Sequence, residues 1–201
     1  MNRFLTIIFL AFLPIFSFSQ KFEGGILGGF VVSQVDGDRL GGYDKPGITF
    51  GGFIKLKVKE KISIQTELKY IQKGSADYAN PEKGDYSSYK LRLNYIEMPF
   101  ILKYHYRTKI SFDAGLGFAY LINDTENENN QGFVDAFPAY NNFEIPFICG
   151  ASYQLTPKIE ISGRFSWSIL PIRPFSGGNY WWNRAQNNEL LSLTFNYKFR
   201  K

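Results

Sequence analysis

Residues 188–199 read NELLSLTFNYKF, and this stretch decides the fold. From Leu191 onward, apolar residues occupy every second position and polar residues occupy the positions between them. A period of two is typical of a β-strand with one apolar face and one polar face. A final strand has an unpaired edge unless the sheet closes into a barrel, in which the last strand pairs with the first. The pattern therefore predicts a closed barrel.

Seven further segments alternate in a similar way, and each has roughly the ten residues that a tilted membrane strand needs. They are residues 22–34, 46–58, 62–73, 89–106, 109–122, 142–155 and 159–170. The connections between all eight segments are alternately long and short. This places the short turns and both chain ends at one end, as in outer-membrane barrels with short periplasmic turns and long external loops. The sequence predicts an all-β fold, an eight-stranded antiparallel up-and-down transmembrane β-barrel.

The N-terminal segment has the layout of a secretory signal peptide. A short positive start with Arg3 is followed by an almost wholly apolar stretch, residues 4–16, and by small residues at Ser17 and Ser19. We expect cleavage after Ser19, with a signal peptide at 1–19 and an outer-membrane barrel domain at 20–201. A retained anchor helix is the alternative, although the stretch is short for a span of about 20 residues.

Composition excludes several classes of function. Aromatic residues make up 18% of the chain, which suits membrane-interface belts, and the net charge of +5 is spread without a basic cluster. We therefore expect no nucleic-acid partner. The only histidine is His105, and the only cysteine is Cys149. These residues support neither a zinc site nor a Ser/His/Asp triad, so no enzyme activity, metal or cofactor is predicted.

The alternation alone leaves open which face points inward. A soluble, lipocalin-like barrel would place its apolar face inside, around a greasy ligand. Tyrosines and tryptophans near both ends of the segments, together with the unequal connections, favour a membrane barrel with its apolar face outward. An eight-stranded barrel is just wide enough for side chains to fill it, so we expect a plugged lumen. A proton or ion path through the lumen is the alternative.

The polar face predicts a network of charged side chains inside the barrel. Buried charges must be paired, and Lys103–Asp113 and Lys55–Glu67 are plausible cross-strand pairs. The predicted lumen network consists of Lys55, Glu67, Lys69, Arg92, Glu97, Lys103, Asp113, Glu144, Glu160 and Arg164.

Two prolines and one long loop carry further predictions. Pro99 and Pro146 lie inside strand patterns and cannot donate to a ladder, so we expect bulges or local breaks there. A change of parity near Tyr95 also indicates a bulge. In the last long loop, Tyr180, Trp181 and Trp182 could contact a partner, or form part of an aromatic belt or a cap over the barrel mouth.

Four stretches resemble the PorT-type outer-membrane β-barrel family of Bacteroidota. They are residues 33–38 (SQVDGD), 41–47 (GGYDKPG), 67–75 (ELKYIQKGS) and 95–100 (YIEMPF), and the resemblance covers essentially the whole chain after the signal peptide. It implies an eight-stranded barrel in a Gram-negative outer membrane, in a family named after a member linked to type IX protein secretion.

Three functions follow from these observations. The leading hypothesis is a non-enzymatic structural or interaction barrel, with outer-membrane lipid and other envelope or secretion proteins as partners. An accessory role in a type IX-like secretion system is the second, and a small hydrophobic-ligand binder or transporter is the third. The sequence does not indicate an oligomeric state.

Overall fold

The structure is a computed structural model that describes residues 22–38, 40–173 and 185–199. A turn of 3-10 helix at Pro81–Lys83 lies between the fourth and fifth strands. The strands are β1 (Phe22–Asp36), β2 (Lys45–Lys59), β3 (Ile62–Lys73), β4 (Ala76–Asp77), β5 (Tyr89–His105), β6 (Ile110–Glu128), β7 (Val134–Asp135), β8 (Phe143–Glu144), β9 (Pro146–Gln154), β10 (Ile159–Ser168) and β11 (Asn187–Lys198).

Eight of these strands form a closed antiparallel barrel in the order β1, β2, β3, β5, β6, β9, β10 and β11. The barrel closes because β1 pairs with β11 on one side and β2 on the other, so that Gly28 lies opposite both Phe195 and Phe50. The predicted closure of the last strand on the first is therefore confirmed. Within the described ranges, no helix is long and apolar enough to cross a membrane.

The connections differ in length at the two ends of the barrel. Residues 60–61, 106–109 and 155–158 form the short turns, and we call their side the short-turn end. Residues 37–44, 74–88, 129–142 and 169–186 connect the strands at the other side, the long-loop end. The small strands β4 and β7 pair with β5 and β6 there and extend the barrel wall into the loops.

Away from the long-loop end, the apolar face of the strands points away from the barrel axis. On β11, Leu193 and Phe195 are each 47% exposed, whereas Thr194 and Asn196 between them are buried. An exposed apolar band around a closed barrel is the surface that lipid covers in outer-membrane barrels. The arrangement is the reverse of a soluble ligand-binding barrel, whose apolar face would line the interior.

The pairing of β5 with β6 contains a bulge, but on the strand opposite the predicted one. Asn94 pairs with Asn123 and the next residue, Tyr95, pairs with Leu121, so Ile122 of β6 is the extra residue. Consecutive residues Ile122 and Asn123 therefore both face outward. A bulge is present near Tyr95 as expected, although β5 itself keeps one parity along its whole length.

This unbroken parity corrects the predicted position of Arg92. The sequence places Arg92 in the lumen because its neighbours Leu91 and Leu93, together with Tyr95, are apolar and alternate with it as lipid-facing residues do. The structure buries these three apolar residues inside the barrel and exposes Arg92 on the same outer face as Ile96. The prediction failed because the inner wall at this end of β5 is apolar.

Both strand prolines interrupt pairing, as expected. The ladder between β3 and β5 is broken opposite Pro99, and Ile145 separates β8 from β9 just before Pro146. Proline lacks the N–H that the ladder needs. The register is the same on either side of each interruption, so these sites are breaks rather than bulges.

Candidate functional site: the ion-pair chain inside the barrel

Ten charged side chains project into the barrel from six strands. None of these side chains is more than 7% exposed. Lys73 is the one that sequence reasoning missed, although it shares the inward parity of Glu67 and Lys69 on β3. We call the set the lumenal ion-pair chain; its members, in order of contact, are Glu144, Lys73, Glu97, Lys69, Glu67, Arg164, Asp113, Lys103, Glu160 and Lys55.

The chain begins near the long-loop end with Lys73 between two carboxylates. Its Nζ lies 2.8 Å from Glu144 Oε1 and 2.9 Å from Glu97 Oε2. The ammonium group also lies 5.1 Å from the centre of the Tyr95 ring. Asn188 Nδ2 donates to Glu144 Oε2 at 2.9 Å, so a hydrogen bond from an uncharged side chain also holds this end of the chain.

Arg164 connects the two halves of the chain across the barrel. Its Nη1 lies 2.6 Å from Glu67 Oε1, and its Nε lies 3.0 Å from Asp113 Oδ2. Lys69 continues the chain toward the long-loop end, 3.4 Å from Glu67 Oε2 and 3.2 Å from Glu97 Oε1. The planar guanidinium holds the two carboxylates, one from β3 and one from β6, with separate N–H groups of fixed relative geometry, whereas a lysine ammonium is a point charge.

Lys103 holds the part of the chain nearer the short-turn end. Its Nζ lies 2.9 Å from Asp113 Oδ2 and 2.9 Å from Glu160 Oε1, and it donates to Ser152 at 2.8 Å. Lys103 and Asp113 are directly opposite in the β5–β6 register, as the sequence indicated. Lys55 ends the chain, 3.5 Å from Glu160.

The predicted pair Lys55–Glu67 is wrong. The register of β2 and β3 places Lys55 opposite Gln65, and Glu67 is paired with Arg164 and Lys69 instead. Turn length alone does not fix the register, because the β2–β3 pairing also shifts near the turn between Lys57 and Lys59.

Acids and bases alternate strictly along the chain, and the five acids balance the five bases. Removing a charge from water costs several kcal/mol per ion, and close partners of opposite sign offset this cost. Every charge of the chain has at least one such partner. The arrangement therefore fills the lumen with a unit whose formal charges sum to zero.

An apolar cluster covers the chain at the long-loop end. Loop residues Ala136, Tyr140 and Ile172 pack there onto inward-facing strand residues, and Arg173 lies 3.8 Å above the Tyr140 ring. The expectation of a polar interior is therefore wrong for the long-loop end of the barrel, where loop residues pack onto the inner wall. We call it the apolar cap: Val31, Val35, Ile71, Leu91, Leu93, Tyr95, Ala119, Leu121, Ala136, Tyr140, Ile172 and Leu190, with Tyr89 against it.

The short-turn end has a basic mouth instead of a cap. A cavity of about 490 Å³ opens there, and His105 lies at its rim with Nε2 2.8 Å from Ser63 Oγ. Basic side chains outnumber acidic ones around it. The lining residues are Glu23, Lys55, Lys57, Glu60, Lys61, Ser63, His105, Tyr106, Arg107, Thr108, Gln154 and Lys198.

This geometry offers little for catalysis. His105 contacts a serine, but the cavity lining shows no carboxylate hydrogen-bonded to the histidine. In the described part of the chain, no three His, Cys, Asp or Glu residues are grouped so that they could hold a metal ion. The predicted contact residues Tyr180, Trp181 and Trp182 and the predicted signal peptide lie outside the described residues.

A closed antiparallel barrel with an apolar outer band and a filled, charged interior defines an outer-membrane β-barrel protein. Comparison with family models gives the same class. The model of the outer membrane protein beta-barrel domain matches residues 18–173, most of the chain, and the chain belongs to this family.

Two solved structures have the same fold. Ail, the attachment invasion locus protein of Yersinia pestis, solved in complex with the heparin analogue sucrose octasulfate, is 11% identical with a TM-score of 0.52; the match covers 89% of this chain and 99% of Ail. Neisserial surface protein A is 14% identical, also with a TM-score of 0.52; the match covers 89% of this chain and 97% of that protein. At these identities the likeness shows the fold. A comparison with curated proteins finds no match.

Proposed function

We propose that the protein is a non-enzymatic, non-conducting barrel of the outer membrane with a structural or interaction role. One observation carries this proposal: the lumen is occupied by the ion-pair chain and covered by the apolar cap. A solute passing through would have to break paired, buried charges at a cost of several kcal/mol for each. The working surfaces are therefore the outer wall, the loops and the basic mouth.

The same observation argues against a binder or transporter of small hydrophobic ligands. Such a protein needs an apolar cavity of sufficient size. The middle of this barrel is lined by ionic side chains, and the apolar residues at the long-loop end are packed against one another.

Conductance in planar bilayers tests the proposal. We expect no stepwise current from the wild-type protein. A variant that truncates one residue of the cap and removes the residue that connects the two halves of the chain, Tyr140→Ala with Arg164→Ala, provides the positive control for a lumen opened by design. Stepwise currents from the wild type that match those of this variant would contradict a non-conducting barrel.

A second candidate role is an accessory component of a type IX-like secretion system, within the PorT-type branch of barrels. The sequence resemblance suggests this branch, and the basic mouth favours the role because it would face the periplasm and attract an acidic segment of another envelope protein. We also propose that residues 1–19 are removed on export. The mass of the mature protein, which shows where its chain begins, would test this.

Cross-linking in cells tests the secretion role. A photo-reactive residue at Lys61, on the rim of the mouth, should capture a secretion component, and one at Phe195, on the lipid-facing wall, should not. Recovery of the same proteins from both positions, or of no secretion component from Lys61, would remove the support for this role.

A further inference from the structure

The outer wall carries an organised polar patch just beyond the apolar band at the long-loop end. Gln72, Asn94 and Asn123 form one row across three neighbouring strands, since Gln72 is opposite Asn94 and Asn94 is opposite Asn123. The bulge at Ile122 turns Asn123 outward and so completes the row. The strand register therefore aligns the three amides in one row, and they are not scattered surface residues.

The next row of outward-facing residues, on the short-turn side of the amides, lies at the membrane interface. It consists of Tyr70, Ile96 and Tyr120, each opposite the next. The Tyr70 hydroxyl donates to Asn94 Oδ1 at 2.9 Å and accepts from Gln72 Nε2 at 3.1 Å. Tyrosines of outer-membrane barrels lie at the level where hydrocarbon gives way to headgroups. The amide row therefore lies at headgroup height.

Two cations complete the patch. Lys45 and Arg92 line a cavity of about 380 Å³ together with the three amides, Pro46 and Thr125. Neither cation forms an ion pair in the described part of the chain. The undescribed residues contain no Asp or Glu, so none of them can supply a carboxylate side chain.

The Arg92 guanidinium is positioned by a loop residue, and within the described ranges it donates no hydrogen bond. Its central carbon lies 3.7 Å from the centre of the Phe133 ring, so the group is stacked on the loop. Stacking on an aromatic face orients a guanidinium and leaves its N–H groups available at the edge. The Lys45 ammonium donates to the Pro46 carbonyl at 2.8 Å and has two further N–H donors. With these and the amide N–H groups, the guanidinium donors fit a phosphate and its neighbouring oxygens.

We propose that this patch binds the phosphate of a lipid headgroup in the outer leaflet. A site at headgroup height on the lipid-facing wall meets membrane phosphates before any dissolved anion. Each Lys or Arg near an anionic membrane surface contributes about 1 kcal/mol to the attraction. We therefore expect Arg92→Gln to weaken binding about fivefold, and Lys45→Gln with Arg92→Gln to weaken it about 25-fold.

The test uses the protein folded in phosphatidylcholine vesicles that contain either diphosphorylated lipid A or the same lipid without phosphates. Bound lipid is counted by native mass spectrometry after release into detergent. We expect the wild type to retain the phosphorylated lipid preferentially and the double variant to lose this preference. The matched control is Lys59→Gln with Arg107→Gln, which removes two exposed cations at the short-turn end and should keep the preference.

Two results would overturn the inference. One is a double variant that folds, as shown by heat-modifiable gel migration, and still prefers the phosphorylated lipid as the wild type does. The other is full displacement of the lipid by inorganic phosphate at equal phosphate concentration, which would make the patch a site for free anions. The single variant Arg92→Gln leaves the start of β2 unchanged and gives a second measurement if the double variant fails to fold.

Discussion

Lys73→Met tests the lumenal ion-pair chain most directly. Lys73 contacts Glu144 and Glu97 at 2.8 and 2.9 Å, and its side chain is 0% exposed. Glu97 would keep Lys69 as a partner, but Glu144 would keep only neutral donors, from Ser168 and Asn188. Removing one partner of a buried pair costs about 3–5 kcal/mol, and we expect this loss in the free energy of unfolding.

The order of the chain predicts that a second substitution rescues the first. Glu144 and Lys73 are the first two members of the chain, so Lys73→Met with Glu144→Gln leaves eight charges that still alternate and sum to zero. We expect the double variant to recover most of the stability, to within about 1–2 kcal/mol of the wild type. Glu144→Gln alone should cost about 1.5–3 kcal/mol, because Lys73 keeps its contact with Glu97.

Urea unfolding in lipid vesicles, followed by heat-modifiable gel migration, measures these differences. Lys90→Met is the matched control. Lys90 lies at the same end of β5 as the apolar cap, but its ammonium group is 5.3 Å from the centre of the Tyr78 ring. This substitution should lower the free energy of unfolding by about 0.5–1 kcal/mol. The reasoning would be refuted if the free energy of unfolding of Lys73→Met lay within about 1 kcal/mol of the wild-type value, because the control substitution should have an effect of that size. A double variant as unstable as Lys73→Met alone would refute it equally.

Three further substitutions test other parts of the structure. Arg164→Lys keeps the charge but loses the fork that bridges two carboxylates, and should lower the free energy of unfolding by about 1–3 kcal/mol; an unchanged urea midpoint would contradict the bridging role. Leu193→Arg places a charge on the lipid-facing wall near the bilayer midplane. In vesicles it should lower the free energy of unfolding by about 2–4 kcal/mol, and a negligible loss would contradict the membrane assignment. Arg173→Ala removes the stack on Tyr140 and should speed hydrogen exchange of the cap loops about fivefold, with the barrel strands as internal control; equal exchange would show that the stack does not hold the cap.

The barrel itself could be predicted because its physical cause is local. Each strand must show lipid one face and the lumen the other, and this requirement leaves a period of two in the sequence. Strand β3 was predicted at its observed limits, 62–73, because both faces alternate cleanly there. Strand β6 was predicted to end at Ile122 but continues to Glu128, since the bulge at Ile122 disrupts the alternation and hides the continuation.

The lumen chain was only partly predictable because burial depends on neighbours that are distant in sequence. Lys73 could have been found by extending the parity of Glu67 and Lys69 along β3. Arg92 could not have been excluded in this way, because Leu91 and Leu93 look like lipid-facing residues until the loops are known to cover them. Alternation identifies the two faces of a strand, but the tertiary packing decides what each face meets.

The neutral interior leaves the two ends of the molecule with opposite charge. Of the 18 acidic residues, five belong to the ion-pair chain and two, Glu23 and Glu60, lie at the short-turn end, so the other eleven lie toward the long loops. An acidic crown of loops repels lipid phosphates unless cations intervene. Lys45 and Arg92 line the cavity of the polar patch below this crown, where a phosphate would otherwise be excluded. The same charge separation supports the proposed secretion role, because a basic mouth would attract an acidic partner more strongly than a uniformly charged barrel would.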